Sequence, residues 1–310
     1  MGTLYPPWRV CNSVMASRRP RSWSWSPRDS LEVDMQCEAM AGRLRFRARA
    51  CLLLVCFALS LAPARVSATW SIVAVDPQTR EVGVAVASCI GSVEVTAGFA
   101  PGKGVVVAQG LSNLASRDRA AQLLARGASP AQVIAEITTP EFDRPGFLKG
   151  AKMRQYGVAA LDFGETTASY TGSWTVGWSG SARGDGVSVQ GNVLYGEEVI
   201  SDALRAFEAE PGALGERLLA ALEAGSAAGG DKRCAKSLSA LSAFLAVARP
   251  DDSARVPYLR LLVPYAGETD ASRWTFLRQL VCPVQGEMSQ NPVRRLRERY
   301  EQWREKVRLK

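Results

Sequence analysis

Residues 69–88 read TWSIVAVDPQTREVGVAVAS, and the fold follows from how this stretch divides. Thr69 to Val75 is apolar and β-branched, which predicts a strand. Asp76-Pro77-Gln78-Thr79 supplies turn chemistry, because proline presets φ and aspartate bonds its own backbone two residues on. Val82 to Ser88 is a second short apolar run, so the three pieces predict a hairpin. Gly104 to Gln109 (GVVVAQ) predicts a third strand. The second and third runs are almost continuously small or apolar, the pattern of a sheet covered on both faces.

Two helices are predicted next. One spans Ser116 to Gly127, with Ala120, Leu123 and Leu124 on one face and Gly127 as its stop. Another opens at Ser129-Pro130, an N-cap with proline at the first helical position, and runs to about Thr138. Residues 139–153 read as a loop. Strands are expected at Gln155–Leu161, Thr167–Thr171 and Gly186–Gln190, then amphipathic helices at Glu197–Glu208 and Leu214–Ala224. Gly225 to Arg233 (GSAAGGDKR) reads as a glycine-rich loop, and Leu238–Ala248 and Tyr258–Val263 as the last strands. Residues 291–310 hold 8 Lys+Arg against 3 Glu and form a basic amphipathic helix, read as a solvated or packing tail. Adjacent strands are joined by turns rather than crossover helices, which points to mostly antiparallel sheets covered by helices and away from a doubly wound parallel sheet.

Upstream of Thr69 the chain has a different character. Arg43, Arg45, Arg47 and Arg49 precede the apolar run Cys51–Ala62. Pro63 breaks that run, and Val66-Ser67-Ala68 places small residues before Thr69 in the order of a secretory signal. The run is shorter than the ~20 residues that span a bilayer. Cleavage after Ala68 is favoured over cleavage after Ala64, which would leave Pro63 at −2. Residues 1–39, rich in Trp, Arg, Pro and Ser, read as an over-extended gene start with Met40 as initiator, or else as a disordered basic tail. The expected organisation is therefore an extension (1–39), a signal peptide (40–68), one domain (69–265) and a C-terminal extension (266–310). The expected location is periplasmic or secreted, with signal peptidase as the maturation partner and no stable membrane insertion afterwards.

Composition then narrows the chemistry. The formal charge is +8, yet the first 68 residues hold 10 basic and 4 acidic residues, leaving 28 basic and 26 acidic for the remainder. Little in the mature chain calls for nucleic acid. The chain has no histidine, which removes Ser-His-Asp and Cys-His-Asn triads and histidine-ligated metals. Three cysteines follow the leader (Cys89, Cys234, Cys282), permitting at most one internal disulfide, with no CxxC spacing and no indication of which pair. A base must come from a carboxylate, lysine, tyrosine or amine. Release of Thr69 as an N-terminal residue would supply both a hydroxyl nucleophile and an α-amine of pKa about 7.7–8.0 to act as its base. The competing reading of Thr69 is the start of an edge strand.

The chain also resembles a known family. TWSIVAVDPQT…VGVAVAS is similar to the opening of N-terminal-nucleophile (Ntn) hydrolases, the superfamily of proteasome β-subunits and penicillin acylase. More narrowly it resembles the bacterial family called domain of unknown function 1028. Gln109 with Asn113 resembles that family's Q-x-x-x-N segment, and Gln155-Tyr156-Gly157-Val158 and Tyr170-Thr171-Gly172-Ser173 its central strands. Gly184-Asp185-Gly186 with Val189 to Leu194 is similar to its GDG…QGNML run, and AAGGDKR (227–233) to its glycine-rich loop, with Cys234 where that loop carries glycine. No counterpart of the proteasome's supporting aspartate and lysine is evident; Ser88-Cys89 and Lys103 lie in those regions.

The resemblance implies an α+β fold, a four-layer αββα sandwich of two mostly antiparallel sheets, and hydrolysis of an amide bond without metal or organic cofactor. Thr69 is then the nucleophile. Asn192, after a glycine at a strand end, is the expected oxyanion donor, or else shapes a turn. Ser88 is expected within reach of the Thr69 amine or hydroxyl. Gln109 and Asn113 would orient substrate or cap the next helix, and Asp231, Lys232 and Arg233 would anchor an acidic substrate, tune the amine or form a solvated loop. The substrate is expected to be a small molecule or peptide, and homo-oligomerisation is compatible with the sequence. The alternative from another class is a secreted binding domain that keeps the fold without turnover.

Overall fold

The computed structural model describes residues 69–143, 150–164, 166–175, 177–265 and 290–309. The leader, the start at Met40 and Cys282 lie outside the described residues. The strands are β1 (Thr69–Asp76), β2 (Glu81–Ser88), β3 (Ala97–Ala100), β4 (Gly104–Gly110), β5 (Arg154–Ala160), β6 (Thr167–Thr171), β7 (Trp178–Gly184), β8 (Val187–Leu194), β9 (Ser242–Ala248) and β10 (Leu259–Val263). The helices are α1 (Leu114–Ala125), α2 (Pro130–Ile137), α3 (Glu198–Ala209), α4 (Leu214–Ala227) and α5 (Pro292–Arg308). One sheet has the order β10-β9-β2-β1-β8-β7, the other β3-β4-β5-β6, and neighbours in both run antiparallel.

Strand periodicity explains the layering. On β1, Trp70, Ile72 and Ala74 join a core with α3, α4 and α5, while Val73 and Val75 face a second core against Val105 and Val107 of the other sheet. A third core lies under α1 and α2, built on Val106, Ala108, Tyr156 and Val158. The order of layers is helices, sheet, sheet, helices. β2 and β4 are buried on both faces, as their nearly continuous apolar runs predict, and β1 is buried on both faces as well.

Local signals set the boundaries. Asp76 Oδ1 accepts from Gln78 N at 2.8 Å and closes the β1–β2 turn. Ser129 and Gln132 form a reciprocal capping box at α2. α1 starts two residues before the expected Ser116, because Asn113 Oδ1 accepts from Ala115 N and Ser116 N. α4 runs through Ala227, past the expected end, because Gly225 lets the helix pack closely on Trp70. β9 begins at Ser242 rather than Leu238, since Ser239 takes a positive φ of 57° and turns the chain there. Two strands were not expected: β3, of only four residues, and the edge strand β7, whose WSGSARG sequence lacks an apolar run.

The C-terminal helix packs rather than floats. Val293, Leu296 and Tyr300 of α5 bury into the first sheet's outer core. Arg297 pairs with Glu216 and Glu223 of α4, and Arg304 reaches Glu216 at 2.8 Å.

Candidate active site

The N-terminus of β1 lies between the C-terminal ends of β2 and β8, and this antiparallel geometry gathers three expected residues into one row. Thr69 pairs directly with Ser88 on one side and with Asn192 on the other. All three side chains lie on the face turned toward the second sheet, and all are buried. The Thr69 hydroxyl donates to Ser88 Oγ at 3.2 Å.

Beneath the row is a band of buried amides and hydroxyls linking the two sheets. Ser71 Oγ donates to Gln109 Oε1 at 2.8 Å and accepts from Gln190 Nε2 at 2.7 Å. Gln109 Nε2 donates to Gln155 Oε1 at 2.8 Å and to the Thr69 carbonyl at 3.4 Å. Gln155 Nε2 meets three acceptors, Gly191 O (2.8 Å), Thr171 Oγ1 (2.9 Å) and Gly180 O (3.1 Å). Its Oε1 therefore has to accept, and it receives Asn192 Nδ2 at 3.0 Å. Asn192 Oδ1 is left buried without a partner among the described residues. Gly157 makes room for this band, since a Cβ there would sit 2.1 Å from Gln190 Oε1.

The glycine-rich loop docks at the same end. Gly229 and Gly230 take positive φ (117° and 62°), as the sequence GG allows. Asp231 is then fully buried, its carboxylate accepting from Cys89 N at 2.7 Å and from Arg233 Nη2 at 2.7 Å. Arg233 Nη2 also reaches Ser88 Oγ at 3.3 Å, so the hydroxyl that accepts from Thr69 is in contact with a guanidinium. Cys89 and Cys234, which follow Ser88 and Arg233 in sequence, form a disulfide with Cα atoms 5.9 Å apart. Lys232 donates its backbone N–H to Val193 O at 3.0 Å while its side chain is exposed. Val193 itself takes φ 53°, a strained conformation for a β-branched residue, immediately after Asn192.

The expected site residues thus divide. Thr69, Ser88, Asn192, Asp231 and Arg233 come together. Gln109 sits directly below them, but its amide is committed to joining the sheets. Asn113 caps α1, and its Nδ2 reaches Asp143 Oδ1 at 3.3 Å, beside the buried Asp143–Arg154 pair. Sequence reasoning placed Gln155, Gln190 and Ser71 on strands without giving them a part at the site. Their inward parity on β5, β8 and β1 was the signal available. Among the described residues no group of three or more potential metal ligands occurs, and no helix is long and apolar enough to cross a membrane.

The profile of a family of unknown function (DUF1028) matches residues 69–270, about two thirds of the chain and beginning at Thr69 itself. The chain belongs to the DUF1028 family. A crystal structure of a protein assigned to the DUF1028 family, SPO2555 from Silicibacter pomeroyi, is 26% identical with a TM-score of 0.56, covering 76% of this chain and 89% of that one. No curated protein matches the chain. Within the DUF1028 region lie the ten described strands and four of the five described α-helices; α5 is outside it.

Proposed function

We propose that this DUF1028 protein is an exported hydrolase of the Ntn type that cleaves an amide bond in a small molecule or peptide. The carrying observation is the row Ser88–Thr69–Asn192. It puts a threonine hydroxyl at the first position of a central strand, hydrogen-bonded at 3.2 Å on one flank and beside a carboxamide on the other. The helix–sheet–sheet–helix layering and the family match beginning at Thr69 support the same reading.

In the intact chain the Thr69 nitrogen is a peptide nitrogen and cannot act as a base. Removal of the leader after Ala68 by signal peptidase frees it as an amine, so export and activation become one step. Thr69 Oγ then attacks the substrate carbonyl carbon and its proton passes to the α-amine. The carbonyl π pair moves onto oxygen, held by the second N–H of Asn192 and by backbone N–H groups. Collapse breaks the C–N bond, and the departing amine takes the proton from the α-ammonium. Water attacks the resulting ester with the amine as base, releasing the acid and restoring Thr69. Ser88, in contact with Arg233, holds the hydroxyl in place before attack. The sequence of steps uses no metal or organic cofactor.

An electrophilic β-lactone probe tests this reading. The processed protein is expected to gain one adduct, mapped to Thr69 and missing in Thr69→Ala, while the unprocessed chain stays unlabelled. A folded, processed protein that resists a broad panel of such probes would favour a binding domain without turnover.

A further inference from the structure

Asn192 carries a feature that oxyanion binding does not use. Its side chain is fully buried, its Nδ2 is bound to Gln155 Oε1, and its Oδ1 is without a partner among the described residues. A buried amide oxygen in that state costs free energy unless something comes to donate to it. The amide cannot turn over to escape, because Gln155 Nε2 is occupied by three acceptors and Gln155 can offer Asn192 only an oxygen.

The strand register shows which donor would arrive. The Ser88 carbonyl accepts from Leu241 N at 2.8 Å, so the Ser88 backbone is turned toward β9. Antiparallel pairs alternate, so Thr69, paired with Ser88 on the side where neither backbone faces the other, turns its own backbone toward β8. Its nitrogen therefore lies on the Asn192 flank. Directly opposed residues hold their Cβ atoms about 4.5–5.5 Å apart, within reach of an asparagine side chain.

We infer that Asn192 Oδ1 is the acceptor for the freed α-amino group of Thr69, and that Gln155 is the positioning residue that keeps this oxygen turned toward it. The inference rests on Thr69 being an N-terminal residue and adds an orienting role to the base. In this register one amine N–H goes to the Asn192 backbone carbonyl, and the second on Asn192 Oδ1 leaves the lone pair to face the hydroxyl. The side chains turned toward this position from β2, β4, β5 and β8 are the neutral Ser88, Gln109, Gln155 and Asn192. On the Ser88 flank Arg233 and the buried Asp231 form an ion pair at 2.7 Å. Arg154 alternates to the opposite side of β5, where it meets Asp143.

The test is the proton affinity of the Thr69 amine, read from the pH dependence of trace acetylation in protein matured to begin at Thr69. An acceptor favours the ammonium form. Asn192→Leu should therefore lower the amine's proton affinity about tenfold, and Asn192→Asp, which puts a negative charge there, should raise it more than tenfold. Gln155→Met should shift it in the same direction as Asn192→Leu but by less. Unchanged affinity in folded Asn192→Leu and Asn192→Asp would overturn the inference, even with probe labelling of Thr69 intact. The expected shifts in a protein that no probe labels would leave the acceptor standing and remove the hydrolase reading instead.

Discussion

Among single residues, the buried Ser88 bears most directly on the nucleophile. Its hydroxyl accepts from both Thr69 and Arg233. Ser88→Ala should leave the fold within about 1 kcal/mol, since the net worth of one hydrogen bond is small. It should nonetheless slow probe labelling of Thr69 by about tenfold to a hundredfold, because the nucleophile loses its orientation. Labelling at the wild-type rate would remove Ser88 from the mechanism. Tyr156 tests the other face of the second sheet. Burial pushes its phenol from 10.0 up to about 12, and the nearby Ser116 hydroxyl closes no hydrogen bond with it. A pKa raised by folding gives stability that is present below pH 10 and lost as pH rises toward 12. Tyr156→Phe should therefore flatten the alkaline fall in the unfolding midpoint and cost little or nothing at neutral pH. An alkaline profile parallel to wild type would contradict this assignment.

Among the elements, the glycine-rich loop depends most on its attachments. Gly229 and Gly230 turn it, Val193 O and Ser239 O accept from Lys232 N and Asp231 N, and the Cys89–Cys234 disulfide ties it to the end of β2. The bridge closes 145 residues of chain. Its removal in Cys89→Ser/Cys234→Ser should cost about 2–5 kcal/mol by denaturant unfolding. Because the two bridged residues follow Ser88 and Arg233, Thr69 labelling should fall along with stability. A stable double variant with undiminished labelling would show that hydrogen bonds alone hold the loop. This element also marks how far sequence reads. The glycines and the charged run DKR were visible at 229–233, but the cysteine pair was not, because no local spacing links residues so distant in the chain. Strand β7 escaped for a different reason, since an edge strand of glycine, serine and arginine carries no apolar alternation. By contrast β2 and β4 were legible because burial on both faces writes a nearly continuous apolar run.

For the whole molecule, the antiparallel sandwich brings the start of one strand and the ends of two others to a single edge. The Thr69–Ser88 pair was therefore latent in the hairpin reading of residues 69–88, whereas Asn192 joins the row only through the β1–β8 pairing, beyond the end of the strand expected at Gly186–Gln190. The amide band below it was not, because Gln109, Gln155 and Gln190 meet only when two sheets face each other, a relation no single strand encodes. The C-terminal helix shows the same limit. Its amphipathic pattern was plain, yet its seat against α4 through Arg297, Glu216 and Glu223 depends on packing. The proposed activity depends on one covalent fact outside that architecture, the identity of the first residue of the mature chain. Expression of the full chain in a secreting bacterial host, followed by N-terminal peptide mass spectrometry of the exported protein, measures it directly. The expected result is a chain beginning at Thr69. A mature chain beginning at Arg65, or at any other residue, would leave the threonine without its amine and contradict the proposed mechanism.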